Sequence, residues 1–172
     1  MKSAQKILAL ILAGVMALAL LTGCGKATSL NRTIAEGMAE YLKSLSAEAG
    51  NDKNISVSYQ VPELSRDIAP LFDENWIAYD VGGNPNALTN AAKETLKNIL
   101  SHYISDSSTV SFVAADVTDV KTPFMEVAKL FDSRIVFSGG NSNLADATSI
   151  RIAVVHKNVN SRTYVLAVII EE

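Results

Sequence analysis

Cysteine is nearly absent from this chain of 172 residues, and Cys24 is the only one. A disulfide joins two thiols, and a thiolate zinc site uses two or more cysteines. The chain therefore has no internal disulfide and no thiolate metal centre. Histidine is almost as scarce, since only His102 and His156 occur, and they form no HxxxH or HExxH pair. A zinc site would need both histidines and a carboxylate from distant positions, so we expect no metal site.

Motifs for nucleotide binding and for a serine nucleophile are also lacking. The sequence contains no GxxxxGK[ST] phosphate loop, no GxGxxG dinucleotide fingerprint and no GxSxG nucleophile elbow. Asp116 and Asp119 flank Thr118 after a predicted strand, where carboxylates either perform acid-base chemistry or cap a turn. Capping is the commoner use, so we expect no catalytic residue and no cofactor.

Positive charge is in short supply for a protein that binds nucleic acid. The chain has 15 basic and 18 acidic residues and a net charge of −3. Nucleic-acid binding needs clustered Lys and Arg that displace counterions from phosphates. The balance favours neither a nucleic-acid partner nor electrostatic attraction to anionic lipid.

Long apolar runs are absent except for one, Ile7–Leu21, which follows Lys2 and Lys6 and is closed by Leu21-Thr22-Gly23-Cys24. A basic start, a short apolar run and small residues at a cleavage site define a secretory signal. A cysteine directly after that site is typical of a bacterial lipobox. The sequence predicts a lipoprotein signal peptide over residues 1–23 and a diacylglyceryl group on Cys24. The alternative is a transmembrane helix, but a span needs about 20 apolar residues, and Gly14 interrupts this shorter run.

The predicted anchor is followed by very little linker. Residues 24–29 comprise the lipidated cysteine and Gly25–Ser29, which extend over roughly 17 Å. Residues 30–172 have the usual length of a single globular domain. We therefore expect an extracytoplasmic domain held close to a cell membrane or an outer membrane.

Apolar periodicity predicts helices and strands that alternate along this domain. Leu30–Leu45 is an amphipathic helix that begins at Ser29 or at a capping box from Thr33, and it packs on the core or lies on a membrane. The secondary structure of residues 64–74 is ambiguous, and one interpretation is a short helix interrupted at Pro70. The fold class is therefore α/β (α+β), with a mixed β-sheet flanked by helices that ends in a long antiparallel hairpin. Strands are predicted over 54–61, 76–81, 109–117, 134–138, 149–157 and 162–170, and further helices over 88–103 and 124–131.

Two similar loops, GGNPN at residues 82–86 and GGNSN at residues 139–143, each follow a predicted strand. The first is predicted to lead directly into a helix capped by Asn84 or Asn86. A helix N-terminus can hold an anion, but a turn with a cap is the simpler interpretation, and turn residues explain the likeness of the loops without duplication. Because they are polar, the loops are the candidate interaction residues: Gly82, Gly83, Asn84, Asn86, Gly139, Gly140, Asn141 and Asn143.

Residues 76–170 resemble a family of envelope proteins in the order and spacing of their segments. WIAYDVGGNPN is followed by ALTNAAKETLKNILSHY and TVSFVAAD, then by Val127-Ala128-Lys129-Leu130, by Arg134–Gly139 and by a hairpin over 150–170. This order is similar to that of the lipoproteins that activate penicillin-binding proteins, and more distantly to the curli-secretion lipoprotein and the N-terminal domain of TolB. The resemblance implies an α/β domain that binds another envelope protein.

The sequence thus favours a non-enzymatic lipoprotein that acts as an interaction or regulatory module of the cell envelope, with a cell-wall synthase or a secretion assembly as its partner. One alternative is a small-solute-binding lipoprotein. A second alternative is an envelope hydrolase that uses Asp116, Asp119 or a histidine. That activity would require these groups to converge in one cleft.

Overall fold

The computed structural model describes residues 29–51, 53, 55–59, 61–72, 74–79, 85–105, 107–131, 135–139 and 144–172. The predicted signal peptide and the lipidation site Cys24 lie outside the described residues. So do most of the predicted interaction loops, namely Gly82, Gly83, Asn84, Gly140, Asn141 and Asn143. Across the described ranges, no helix has the length and apolar character needed to cross a membrane.

The described chain forms a mixed sheet and a separate small hairpin, with helices packed around the sheet. Strands β1, β6, β7, β4 and β5 lie side by side in that order, and β2 pairs with β3. β1 is parallel to β6, and the remaining neighbours are antiparallel. The predicted α+β class and its mixed sheet are confirmed. The elements are α1 (Leu30–Glu48), β1 (Ser56–Ser58), α2 (Pro62–Ile68), a 3₁₀ turn (Glu74–Trp76), β2 (Ile77–Tyr79), β3 (Pro85–Leu88), α3 (Asn90–Leu100), β4 (Thr109–Asp116), α4 (Pro123–Lys129), β5 (Ile135–Gly139), β6 (Ser149–Val159) and β7 (Arg162–Glu171).

The long hairpin predicted from the alternating pattern is formed by β6 and β7. Asn160 and Ser161 make its two-residue turn with positive φ values of 48° and 64°, the backbone that matches the twist of an antiparallel pair. β7 lies between β6 and β4, and its residues Tyr164 to Glu171 are all buried. The prediction that both faces of this strand are covered is therefore confirmed.

Two apolar cores lie on the two faces of the sheet. Residues Val165, Ala167 and Ile169 of β7 pack with α1 and α4, whereas Leu166 and Val168 pack with α2 and α3. The alternation follows from the period of two in a strand. Because each face is covered by two helices, packing alone supplies the stability of a fold without disulfides.

Helix α1 begins at Ser29, whose hydroxyl accepts a hydrogen bond from the Arg32 backbone amide at 3.3 Å. This earlier cap, and not the box from Thr33, starts the helix. Its apolar stripe is buried against the sheet and α4, with Ile34, Met38 and Leu42 at 0% exposure. The core-packing interpretation of the stripe is the one that the structure shows.

The sheet has two ends, which we call the tip end and the base end. The tip end holds the turn of the β6–β7 hairpin, the end of β4 at Asp116 and the start of α1, because His156 contacts Asn31 with 2.7 Å between Nδ1 and Oδ1. The base end holds the start of β6 at Ser149 and the end of β7. Helix α1 runs from the tip end to the base end, where Asn51 donates from Nδ2 to the carbonyl of Ala147 at 2.9 Å.

The prediction that the GGNPN loop leads directly into a helix is wrong. Pro85–Leu88 is strand β3, which pairs with β2, and α3 starts only at Asn90. Thr89 is the N-cap, because its hydroxyl accepts a hydrogen bond from the Ala92 amide at 3.3 Å. Asn84 and Asn86 therefore do not cap this helix, and the loop presents no helix N-terminus to an anion.

Candidate functional site

A cleft of about 480 Å³ opens at the tip end, between the end of β4 and helix α4. Its walls come from three segments that are distant in the sequence: the end of β4 with its following turn, α4, and the first residue of β7. The lining residues are Ala115, Asp116, Thr118, Glu126, Lys129, Leu130 and Arg162.

One wall of the cleft is the end of β4. β7 pairs with β4 along its whole length to Asp116, and the described residues of β5 pair with Thr109 to Phe112.

Each charged side chain in the cleft has an opposite charge beside it. Asp116 receives a hydrogen bond on Oδ2 from Arg162 Nη1 at 3.2 Å, and Glu126 receives one from Lys129 Nζ at 2.7 Å. These pairs are partly exposed and hold little net charge. A small charged metabolite would find no uncompensated ion here to recognise it.

Apolar side chains lie beside the cleft. Leu130, at the end of α4, is 40% exposed, and Val136 of the edge strand β5 is 49% exposed. Val136 lies opposite Ser111 of β4, two residues from Val113 on the face that carries α4. A cleft with neighbouring exposed apolar side chains is suited to a polypeptide segment.

Asp116 caps the turn that follows β4, which is the structural role considered for it in the sequence. Its Oδ1 accepts from the Thr118 backbone amide at 2.9 Å and from the Thr118 hydroxyl, and the same hydroxyl accepts from the Thr163 amide at 2.9 Å. These bonds join the end of β4 to the start of β7. Asp119 is exposed with a φ of 54°, and it does not line the cleft.

The two histidines are not brought to the cleft. His156 is on the outer surface beside Asn31, and His102 is exposed just after the end of α3 on the other side of the sheet. Within the described ranges, no three His, Cys, Asp or Glu residues are grouped closely enough to hold a metal ion. The structure therefore does not bring Asp119 or either histidine together with Asp116.

A second polar group, at the base end, ties α2 and α3 to the sheet. Arg151 donates from Nη2 to the Tyr103 carbonyl at 2.8 Å and to Glu172 at 2.5 Å. The Tyr103 hydroxyl donates to Asp67, which lowers the pKa of that carboxyl below its ordinary value and raises the pKa of the phenol. These bonds join α2, the segment that follows α3, and the sheet to one another.

Of the predicted interaction residues, the described ones lie in strands. Gly139 ends β5 and pairs with Thr109 at the base end, and Asn86 belongs to β3. The structure does not bring either of them to the cleft. Of the cleft residues, only Asp116 was considered from the sequence, and the proximity of the others is created by the fold.

Comparison of this chain with protein-family models, with curated proteins and with solved structures gave no match. The resemblance to the activator lipoproteins therefore stays a prediction from the order of the segments.

Proposed function

We propose that this protein is a membrane-anchored extracytoplasmic lipoprotein, and that it acts as a non-enzymatic protein-interaction module of the cell envelope. Its partner is a cell-wall synthase or a component of a secretion assembly. The lipobox at Cys24 supports the location, and the cleft supports the mode of binding.

The observation that carries the proposal is the cleft at the end of β4, with Leu130 and Val136 exposed beside it. An extended segment of the partner would run along the end of β4 and place an apolar side chain against Leu130. Main-chain hydrogen bonds would supply affinity, and the side-chain contacts would supply specificity. No step of this binding requires a catalytic group or a cofactor.

Site-specific crosslinking in intact cells tests this binding mode. A photoreactive phenylalanine analogue is placed at position 130 or 136, and at position 71 as a matched control, because Leu71 is 44% exposed but belongs to the turn after α2. We expect one protein to be captured from positions 130 and 136 and not from position 71. Equal capture from all three positions, or capture of lipid alone, would contradict the proposal.

The captured partner then permits a quantitative test. Burial of the exposed 40% of Leu130 contributes about 1 kcal/mol, so Leu130→Ala is expected to weaken binding about fivefold. Leu71→Ala is expected to leave the affinity unchanged. Amide hydrogen exchange of Val113–Asp116 will slow in the complex if a strand is added, and unchanged exchange there would exclude strand addition.

The volume of the cleft supports a second candidate function, the binding of a small solute. About 480 Å³ lies within the range of roughly 300–1,000 Å³ found for small-molecule sites. A thermal-shift screen with sugars, amino acids and metal salts distinguishes the two functions. A saturating solute would raise the unfolding midpoint by mass action, whereas a protein-docking cleft would give no such shift.

A further inference from the structure

The turn of the β6–β7 hairpin lies at the end of the domain where α1 begins. His156 and Asn31 are in contact, so the start of α1 lies beside β6 at this level. From His156 the hairpin continues through Lys157 to the turn at Asn160 and Ser161.

The direction of α1 follows from contacts at both of its ends. Its first turn lies at the tip end, and near its last turn the Ser46 hydroxyl donates to the carbonyl of Leu144, ahead of β6. Helix α1 is therefore antiparallel to β6. Ser29, the N-cap of α1, consequently lies on the side to which the hairpin turn points.

The reach of the linker is similar to the projection of the hairpin. Gly25–Ser29 span at most roughly 17 Å. The four steps along the chain from His156 to Asn160 span about 13 Å. A lipid on Cys24 would therefore hold the hairpin turn at the level of the lipid headgroups. The base end would lie farther out by the length of β6.

The side chains of this turn suit a headgroup layer that carries negative charge. The segment from His156 to Thr163 contains His156, Lys157 and Arg162 and no Asp or Glu, and Arg162 is paired with Asp116 of β4 at 3.2 Å. Lys157 is exposed and forms no ion pair with a described residue. Lys157 is therefore the cation that this turn offers to an anion.

We infer that residues 156–162, which we call the hairpin tip, are a lipid-contacting surface that binds the headgroups of anionic phospholipids. This inference rests on the lipid anchor of the proposed function. The contact fixes how the domain stands on the membrane, and it places the cleft beside Asp116 and Arg162 near the bilayer. A partner would then be met close to the membrane surface.

The test uses the full lipidated chain on vesicles of phosphatidylcholine, with or without added phosphatidylglycerol. Cys24 is occupied by the lipid, so Asn158→Cys supplies a single thiol for a nitroxide label at the hairpin tip. Glu48→Cys, at the exposed end of α1, is the matched control. Relaxation by oxygen and by a water-soluble nickel complex reports whether each label is at headgroup depth or in water.

We expect the label at position 158 to lie at headgroup depth when phosphatidylglycerol is present, and the label at position 48 to remain in water. Lys157→Gln is expected to lower the ratio of bound to free tip about fivefold, whereas Lys97→Gln on α3 leaves it unchanged. A chain that does not float with vesicles would refute the anchor and this inference together. Floating chains with both labels in water would refute only the hairpin contact, and equal depth on both kinds of vesicle would refute recognition of anionic lipid.

Discussion

Gly37 occupies a position in α1 where helix propensity and packing oppose each other. Glycine in a helix interior is unfavourable by about 1 kcal/mol relative to alanine. Here, however, a Cβ atom at position 37 would lie 2.5 Å from Cγ of Phe124 and 2.9 Å from its Cβ. Phe124 is 1% exposed and belongs to the first turn of α4. Real carbon atoms do not approach so closely, so Gly37→Ala requires that α4 move or that the ring leave its site.

The expected magnitude follows from these two opposing terms. Overpacking a core by one methyl group typically costs about 1–3 kcal/mol, and the propensity gain returns about 1 kcal/mol. Because the closest contacts include the Cβ of Phe124, rotation of the ring alone does not relieve them. We therefore take the upper half of the range and expect Gly37→Ala to lower the free energy of unfolding by about 1–2 kcal/mol.

Urea denaturation of Gly37→Ala measures this change, and Ser44→Ala in the same helix serves as the propensity control. Ser44 is partly exposed and bonds only to the Glu40 carbonyl in the described chain, so its replacement is expected to be neutral or slightly stabilising. Combining Gly37→Ala with Phe124→Leu is expected to cost less than the sum of the two single changes. A Gly37→Ala variant as stable as the wild type, or strict additivity with Phe124→Leu, would refute the steric argument.

Three further predictions concern hydrogen bonds and backbone conformation. Tyr103→Phe removes the donor that lowers the pKa of Asp67, so that pKa will rise toward its ordinary value in an NMR titration. The stability from this bond is present above the ordinary carboxyl pKa and is lost as the pH falls, so the variant will lose less stability on acidification. Ser161→Gly will raise the unfolding free energy by about 0.5–1 kcal/mol in urea titrations, because glycine tolerates positive φ. Asn51→Ala removes the donor to the Ala147 carbonyl and one of two donors to the Leu144 carbonyl, and it will cost about 1–3 kcal/mol in the same assay.

The parts of the fold that could be predicted are those in which local pattern and burial agree. Alternating residues gave β4, β6 and β7 within a residue or two, because each buries a face against helices. Pro62 was predicted to end a strand over 54–61, but β1 already ends at Ser58, and Pro62 instead starts α2, since proline is favoured in the first helical turn. α2 then ends at Ile68, two residues before Pro70.

The failures have an equally local cause. The sequence Asn84-Pro85-Asn86 has the residue types of a helix cap, but Pro85 and Asn86 pair with β2 instead. Thr89 followed by Asn90 and an Ala92-Leu96-Leu100 stripe was the signal that would have placed the helix start correctly.

The cleft could not be predicted from the sequence, because its walls meet only after folding. Asp116, Leu130 and Arg162 are separated by many residues, and only Asp116 was considered as a site residue from the sequence. The register of β5 against β4 includes a bulge between Val110 and Ser111, which the sequence pattern does not reveal. Periodicity reveals that a residue is in a strand, but it does not reveal where a neighbouring strand begins.

The position of β7 has a consequence for the order of events during biosynthesis. β7 follows every other described element in the chain, yet it is the strand that joins β6 to β4 in the middle of the sheet. Until it emerges, neither apolar core can close, and the earlier segments have no complete sheet to pack on. If the chain is exported as we propose, this arrangement delays folding until β7 itself has been translocated, so the earlier segments remain unfolded while they pass through a narrow channel.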